Sequence, residues 1–275
     1  MRGATVAEAL DSAVVAIGAS GSATPRLDAE LLLAEAVGTG REALVTGPGR
    51  ELTGEQARRF RDLVTRRSRN REPVAYLVGR KGFRWIELEV DGRVLVPRPE
   101  TELLVEAALG LPAGAKVLDV GTGSGAVALA LKQERPDLEV AGSDISPEAL
   151  EVAAANRDRL GLDVVLERAD LLDGLGHDWD AILANPPYVA EADRELLAPD
   201  LAHEPPGALF AGPDGLELIR RLLPAAAATR ASLLAVEVGQ GQADGVAALA
   251  RAAGFAQAGT VTDLAGIERV VVAAR

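Results

Sequence analysis

The sequence predicts an α/β fold in which a seven-stranded sheet, its last strand antiparallel, follows a small N-terminal helical domain and a β-hairpin linker. Three observations predict it. From residue 115 onward, short apolar runs alternate with helix-length stretches, the pattern of a parallel sheet covered by helices on both faces. Residues 1–75 space their apolar positions with a helical period, whereas residues 76–95 turn toward strand-like spacing. At 275 residues, against roughly 150 per domain, the chain has room for two cores.

The elements follow in order. Val6, Leu10, Val14 and Ile17 share one face of a first helix. A second helix starts at Thr24-Pro25, carries Leu27, Leu31 and Val37, and stops at Gly38. In a third, Thr53-Gly54-Glu55-Gln56 fits a capping box, Leu52 is placed to staple onto Ala57, and Phe60, Leu63 and Val64 form the buried stripe. Phe83, Trp85, Ile86, Leu88 and Val90, an Asp91-Gly92 turn, and Val94, Leu95 and Val96 beyond it predict the hairpin. The α/β part begins with the strand Val117-Leu118-Asp119-Val120 and a helix through Leu131. It continues with a strand from Leu138 to Ser143, a helix capped at Ser146-Pro147 and running through Leu160, and strands at Val164-Val165-Leu166 and Ala181 to Ala184. A helix at 215–223, a strand from Leu233 to Val238, a helix at 243–253 and strands from Ala256 to Val261 and Val270 to Ala273 complete it. The last two strands are joined too closely for a helical crossover, which makes the final one antiparallel. The expected division is 1–75 helical, 76–95 linker and 96–275 α/β domain.

Composition narrows the function. With 48% hydrophobic and 25% charged residues the chain is neither disordered nor low in complexity. Its formal net charge of −12 repels polyanions, so no direct nucleic-acid partner is expected. Residues 1–75 hold 11 Arg against 10 acids; the rest hold 18 basic against 31 acidic residues. The absence of Cys excludes thiolate chemistry, and two histidines, His177 and His203, do not supply a multi-histidine site, so no metal is expected. Glu8 precedes any apolar run, and no stretch approaches the ~18 uncharged apolar residues of a membrane span; a soluble cytoplasmic protein with no membrane partner is expected.

The chemistry-bearing residues sit where strands end. Asp119-Val120-Gly121-Thr122-Gly123-Ser124-Gly125 joins the first strand of the α/β part to its helix, where glycines let backbone approach a ligand and the helix start offers free N–H groups. Gly121, Gly123 and Ala126 also nearly satisfy the dinucleotide fingerprint, so an oxidoreductase reading stays open at this point, although no hydride-transfer acid or base accompanies it. Asp144 ends the second strand of that part, where a carboxylate can take both hydroxyls of a ribose; this points to an adenosine-containing ligand. Asn185-Pro186-Pro187-Tyr188 follows the fourth. Two prolines remove two N–H groups and extend the chain, so the Asn185 amide oxygen and the Pro186 carbonyl can face a cleft together as acceptors for an N–H₂ group. Such an arrangement can position a planar nitrogen for attack without a strong base, with Tyr188 stacking on or edging the substrate.

Together these residues resemble a class I S-adenosylmethionine-dependent methyltransferase of the amino-group-modifying kind. Val96-Pro97-Arg98-Pro99-Glu100-Thr101-Glu102, with Glu204-Pro205, Ala208-Leu209 and Asp214-Gly215-Leu216, narrows the resemblance to the PrmC/HemK family, the release-factor glutamine methyltransferases, over nearly the whole chain. The resemblance implies a Rossmann-like seven-stranded sheet and S-adenosylmethionine as cofactor, with S-adenosylhomocysteine as product. It implies that Gly121, Thr122, Gly123, Ser124 and Gly125 wrap the methionine part, Asp144 holds the ribose and Leu171, after Asp170, flanks the adenine. It further implies that Asn185, which also borders the cofactor, and Pro186 hold the glutamine amide of a Gly-Gly-Gln motif in class 1 peptide-chain release factors, while Pro187 and Tyr188 shape the slot. The helical domain would dock the factor. Arg98, Glu100 and Glu102 would organise the cleft rim by ion pairing.

The motif Asn-Pro-Pro-Tyr is shared with adenine-N6 DNA methyltransferases, the alternative reading, against which the acidic charge weighs. A catalytically silent module that binds release factors is the non-enzyme reading, opposed by the intact motif. Arg58, Arg59, Arg61, Arg66, Arg67, Arg69 and Arg71 crowd one segment and suit either an acidic partner face or a solvated helix end. His203 beside Glu204 reads as structural, His177 takes no role, and Glu191, Asp193 and Glu195 mark 189–203 as a solvated segment.

Overall fold

The computed structural model describes residues 3–275, which divide into two compact units. The first comprises residues 3–80 together with Ala198–His203. Its helices are α1 (Val6–Ala19), α2 (Pro25–Val37), α3 (Arg41–Thr46), α4 (Gly54–Thr65), a π-helical turn at Arg66–Asn70, and α5 (Val74–Val78). Thr5 and Glu8 form a capping box at α1, and Thr53 and Gln56 form the expected one at α4. Gly38 ends α2 in the left-handed conformation, φ 74°. The α2 stripe differs from expectation: Leu27 is 38% exposed, while Leu32 and Leu33 are fully buried beside Leu10, Ile17, Phe60 and Leu63. Leu27, Leu31, Leu32 and Leu33 leave α2 apolar on several sides, so spacing alone does not select the buried face.

Ala198–His203 completes this unit through charge. Arg67, 6% exposed, donates from Nε to Asp28 (2.8 Å) and from Nη1 to Asp200 (2.7 Å), and Arg71 Nε donates to Asp200 (2.6 Å). Asp28 also accepts from the hydroxyls of Ser22 (2.8 Å) and Thr24 (3.0 Å). Arg66 pairs with Glu72, so part of the arginine cluster is turned inward, leaving Arg58, Arg59, Arg61 and Arg69 exposed.

The second unit comprises Lys81–Leu197 and Glu204–Arg275. A two-stranded sheet pairs β1 (Arg80–Phe83) with β2 (Ile86–Glu89). The hairpin turns at Arg84-Trp85 rather than at Asp91-Gly92, and 91–95 form no strand. Arg84, at φ 46°, is held in its turn by Glu102, which accepts its N–H (3.1 Å), and by ion pairs to Glu134 and Glu106. Tertiary contacts thus override the stronger local turn signal.

The large sheet contains β3 (Lys116–Val120), β4 (Glu139–Asp144), β5 (Val165–Arg168), β6 (Ala181–Ala184), β7 (Leu233–Glu237), β8 (Gln257–Thr262) and β9 (Glu268–Ala274) in the order β5-β4-β3-β6-β7-β9-β8. Pairings from β5 through β7 are parallel, and β9 is antiparallel to both β7 and β8. Around it lie α6 (Glu102–Ala108), α7 (Ala126–Glu134), α8 (Pro147–Leu160), α9 (Glu217–Ala228) and α10 (Ala243–Ala253). The central strands are apolar throughout; Ala181, Ile182, Leu183 and Ala184 are all fully buried, as a strand covered on both faces must be. Strand order reverses between β3 and β6, which opens a crevice at their carboxyl ends. Among the described residues no helix is long and apolar enough to cross a membrane, and no group of His, Cys, Asp and Glu could hold a metal ion.

Candidate active site

The loop after β3 is built on glycine. Gly121, Gly123 and Gly125 have φ of 73°, 57° and 84°, values that L side chains rarely adopt. Below the loop, Asp119 is 2% exposed and accepts from the Thr122 hydroxyl (2.7 Å) and the Ala128 N–H (3.2 Å), tying the loop to the first turn of α7. Burial raises its pKa to about 7. Asp144, the last residue of β4, accepts the Gly123 N–H on Oδ2 (2.9 Å) and the Ser146 N–H on Oδ1 (3.0 Å).

A cavity of about 310 Å³, at the low end of the ~300–1,000 Å³ usual for small-molecule sites, opens at the crevice. Gly121, Thr122, Gly123, Ser124, Asp144, Leu171, Asn185, Pro186 and Pro187 all line it. Leu171 lines it from a left-handed backbone, φ 55°, and packs against the core beneath. Gly125 and Tyr188 are not in the lining. Gly125 caps α7, where a Cβ would stand 2.7 Å from Leu129 Cδ1.

The Asn185-Pro186-Pro187-Tyr188 segment leaves β6 under several restraints. Asn185 Nδ2 donates to Thr101 Oγ1 (3.1 Å), Tyr188 donates its hydroxyl to Glu237 Oε1 (3.3 Å), and Gln242 Nε2 donates to the Tyr188 carbonyl (3.0 Å). Gln242 Oε1 in turn accepts the Gly239 N–H (2.8 Å). Gly215, φ 74°, passes so close that a Cβ there would collide with the Tyr188 carbonyl. Glu237 is 1% exposed; burial raises its pKa to about 7, while the Thr101 and Tyr188 hydroxyls hydrogen-bond it and pull the other way. Burial and the neighbouring Glu237 charge push the Tyr188 phenol up.

Thr101, Glu237 and Gln242 were not singled out by sequence as parts of the site. Thr101 lies inside a noted motif, and Glu237 ends an apolar run much as Asp144 does, which is the signal that could have found it; a Gln before a helix carries none. The other residues of interest are placed plainly. Arg98 pairs with the buried Glu204, which also accepts the Val96 N–H (3.2 Å). His203 does not pair with Glu204: its Nε2 meets the Asn70 carbonyl (2.7 Å) in the helical unit.

Fold and site together define a class I methyltransferase. Solved structures share the fold: a methyltransferase from Pyrococcus furiosus (TM-score 0.52, 17% identity, 68% of this chain and 87% of that one) and the hMettl16 catalytic domain (TM-score 0.57, 14% identity, 82% and 83%). Residues 99–239 match the methyltransferase small domain family and residues 8–79 the PrmC N-terminal domain. Proteins called release factor glutamine methyltransferase are similar over most of their length, among them those of Pseudomonas aeruginosa (45% identity, 91% of this chain, 93% of that one), Caulobacter vibrioides (43%, 90% and 89%) and Koribacter versatilis (39%, 98% and 98%). The chain belongs to the release factor glutamine methyltransferase family.

Proposed function

We propose that this enzyme transfers a methyl group from S-adenosylmethionine to the side-chain amide nitrogen of the glutamine in the Gly-Gly-Gln motif of class 1 peptide-chain release factors, in the cytoplasm. The observation that carries the reading is that Asn185, Pro186 and Pro187 line the same cavity as the glycine loop and Asp144. The residues suit the cofactor. A Cβ at Gly123 would have nothing within 4 Å, so glycine there leaves free a space bordering the cavity. Each Asp144 oxygen accepts one N–H and keeps a lone pair for a ribose hydroxyl. S-adenosylmethionine, when bound, supplies an electrophilic methyl group on a sulfonium.

In this reading Gly121 to Ser124 hold the methionine part, with Gly125 shaping the loop from beneath; Asp144 holds the ribose and Leu171 packs on the adenine. Asn185 Oδ1 and the Pro186 carbonyl accept the two amide hydrogens of the substrate, and Pro187 and Tyr188 shape the slot. An amide nitrogen is a weak nucleophile because its lone pair is delocalised; holding both hydrogens turns that lone pair toward the electrophile and favours pyramidalisation as the bond forms. Positioning of this kind supplies up to ~7–11 kcal/mol of acceleration. The helical unit docks the factor.

The test is labelled methyl transfer to purified release factor, beside a factor whose Gly-Gly-Gln glutamine is replaced and beside duplex DNA. Label on the intact factor alone supports the reading; label on DNA replaces it with the adenine methyltransferase alternative. Asn185→Ala is expected to abolish turnover while cofactor still binds, and unchanged turnover would remove Asn185 from the mechanism.

A further inference from the structure

An asparagine amide has nearly the same shape when turned over, but it then offers N–H donors where its oxygen had been. A substrate amide that presents hydrogens needs the oxygen, so something must choose the orientation of Asn185. Asn185 Nδ2 donates to Thr101 Oγ1 (3.1 Å), and Thr101 lines the cavity beside it. The Thr101 hydroxyl has one proton to give, and the Glu237 carboxylate lies within its hydrogen-bonding reach. An ionised carboxylate only accepts. While Glu237 is ionised, the hydroxyl proton therefore turns to it, its lone pair faces Asn185, and only Nδ2 can satisfy that lone pair.

Glu237 is an unusual residue for its place. It ends β7 at 1% exposure, and its Oε2 has no hydrogen-bond partner among the described residues. A buried carboxylate left partly unbonded destabilises the fold relative to an apolar residue. Its two hydroxyl neighbours explain it: Tyr188 is the last residue of the Asn-Pro-Pro-Tyr segment, and Thr101 holds the first. The remaining charged groups acting on it are Glu100 and Arg269, with Arg98 acting on Tyr188.

We infer that Thr101 and Glu237 are positioning residues that fix which face of the Asn185 amide meets the substrate, a proposal that rests on the reading of Asn185 given above. Protonated Glu237 can donate to Thr101 instead, which frees the threonine proton to turn toward Asn185 Oδ1 and lets the amide turn over.

The experiment has two arms. In the first, kcat and KM for methyl transfer to release factor, and Kd for S-adenosylmethionine, are measured for wild type, Thr101→Val, Thr101→Ser and Glu237→Gln. Loss of the Thr101 hydroxyl is expected to lower kcat about 10- to 100-fold in Thr101→Val; Glu237→Gln, whose amide keeps an acceptor oxygen but adds a donor that can reverse the relay, is expected to lower it by less. Cofactor Kd stays within about twofold, and Thr101→Ser recovers most of the loss. Unchanged kcat in both variants, or equal losses in Thr101→Val and Thr101→Ser, overturns the proposal. In the second arm, which needs no substrate, the side-chain amide resonance of Asn185 is followed with pH. It is expected to shift with a midpoint near 7 in wild type and to stay fixed in Glu237→Gln; a wild-type signal that does not move overturns the relay. If wild type transfers no methyl to the factor, the substrate reading fails while the second arm still decides the relay.

Discussion

Gly123 and Gly125 stand two residues apart in one loop, yet substituting alanine at each should damage different properties. At Gly125, φ 84° costs an alanine about 1–2 kcal/mol. The new Cβ would also lie 2.7 Å from Leu129 Cδ1 and 3.5 Å from Ala153 Cβ. Moving Leu129 off its rotamer adds about 0.5–1.5 kcal/mol. The expected loss is about 1.5–3.5 kcal/mol, or roughly 3–14 °C in Tm at about 2–4 °C per kcal/mol for a chain of this size. Because Gly125 is outside the cavity lining, Kd for S-adenosylmethionine should change little below the transition. Gly123→Ala carries the backbone strain alone, φ 57° with nothing within 4 Å, so about 1–2 kcal/mol, but it lies in the cavity wall and should weaken the cofactor at least about tenfold. Calorimetric melting and a cofactor titration on both variants give the answer. Weaker binding in Gly125→Ala at unchanged Tm, or intact binding in Gly123→Ala, would refute the division of labour.

Other expectations concern charge. Asp144→Asn should weaken S-adenosylmethionine by about 1.5–3 kcal/mol, roughly ten- to a hundredfold, through loss of charge-assisted hydrogen bonds; isothermal titration within twofold of wild type would move the ribose site elsewhere. Arg67→Ala leaves Asp28 with only the Ser22 and Thr24 hydroxyls and should destabilise the helical unit by about 3 kcal/mol, the low end for a broken buried pair; Asp200→Asn, which spares the Arg67–Asp28 bond, should cost less, and the reverse order in denaturant melts would refute the network. Asp119 titrates higher folded than unfolded, so its contribution to stability is complete below about pH 4 and is lost as pH rises through about 7. Asp119→Asn should therefore gain on wild type as pH rises from about 5 to about 8, by on the order of 3 kcal/mol; a Tm difference that moves the other way would sink this sign.

The residues readable in the sequence are those whose chemistry is local. Gly121 to Gly125, Asp144 at a strand end and the Asn-Pro-Pro-Tyr segment each declare themselves within a few positions, and the alternation of runs from Val117 to Ala184 placed the strands to within a few residues. What escaped depends on partners distant in the chain. Glu237 and Thr101 acquire meaning only where β7 lies beside β6 in the sheet, and Arg84 holds a turn that Asp91-Gly92 would occupy on local grounds because three glutamates surround it. Leu32 and Leu33 show a third kind of limit, since a helix apolar on several sides has no single face to read.

The contribution of Ala198–His203 to the helical unit has a consequence for how that unit is made. When residue 80 leaves the ribosome, Arg67 has Asp28 but not Asp200, and Arg71 lacks its carboxylate altogether. About 120 further residues must be translated before Asp200 arrives, which at ~5–20 residues per second is roughly 6–24 s. The N-terminal helices thus wait, with two guanidinium groups short of a partner, for a segment whose synthesis comes after most of the sheet has emerged. The unit that begins first is left unfinished until the second is well under way, and slowing translation ahead of residue 198 would prolong the interval in which it is open to unfolding and proteolysis.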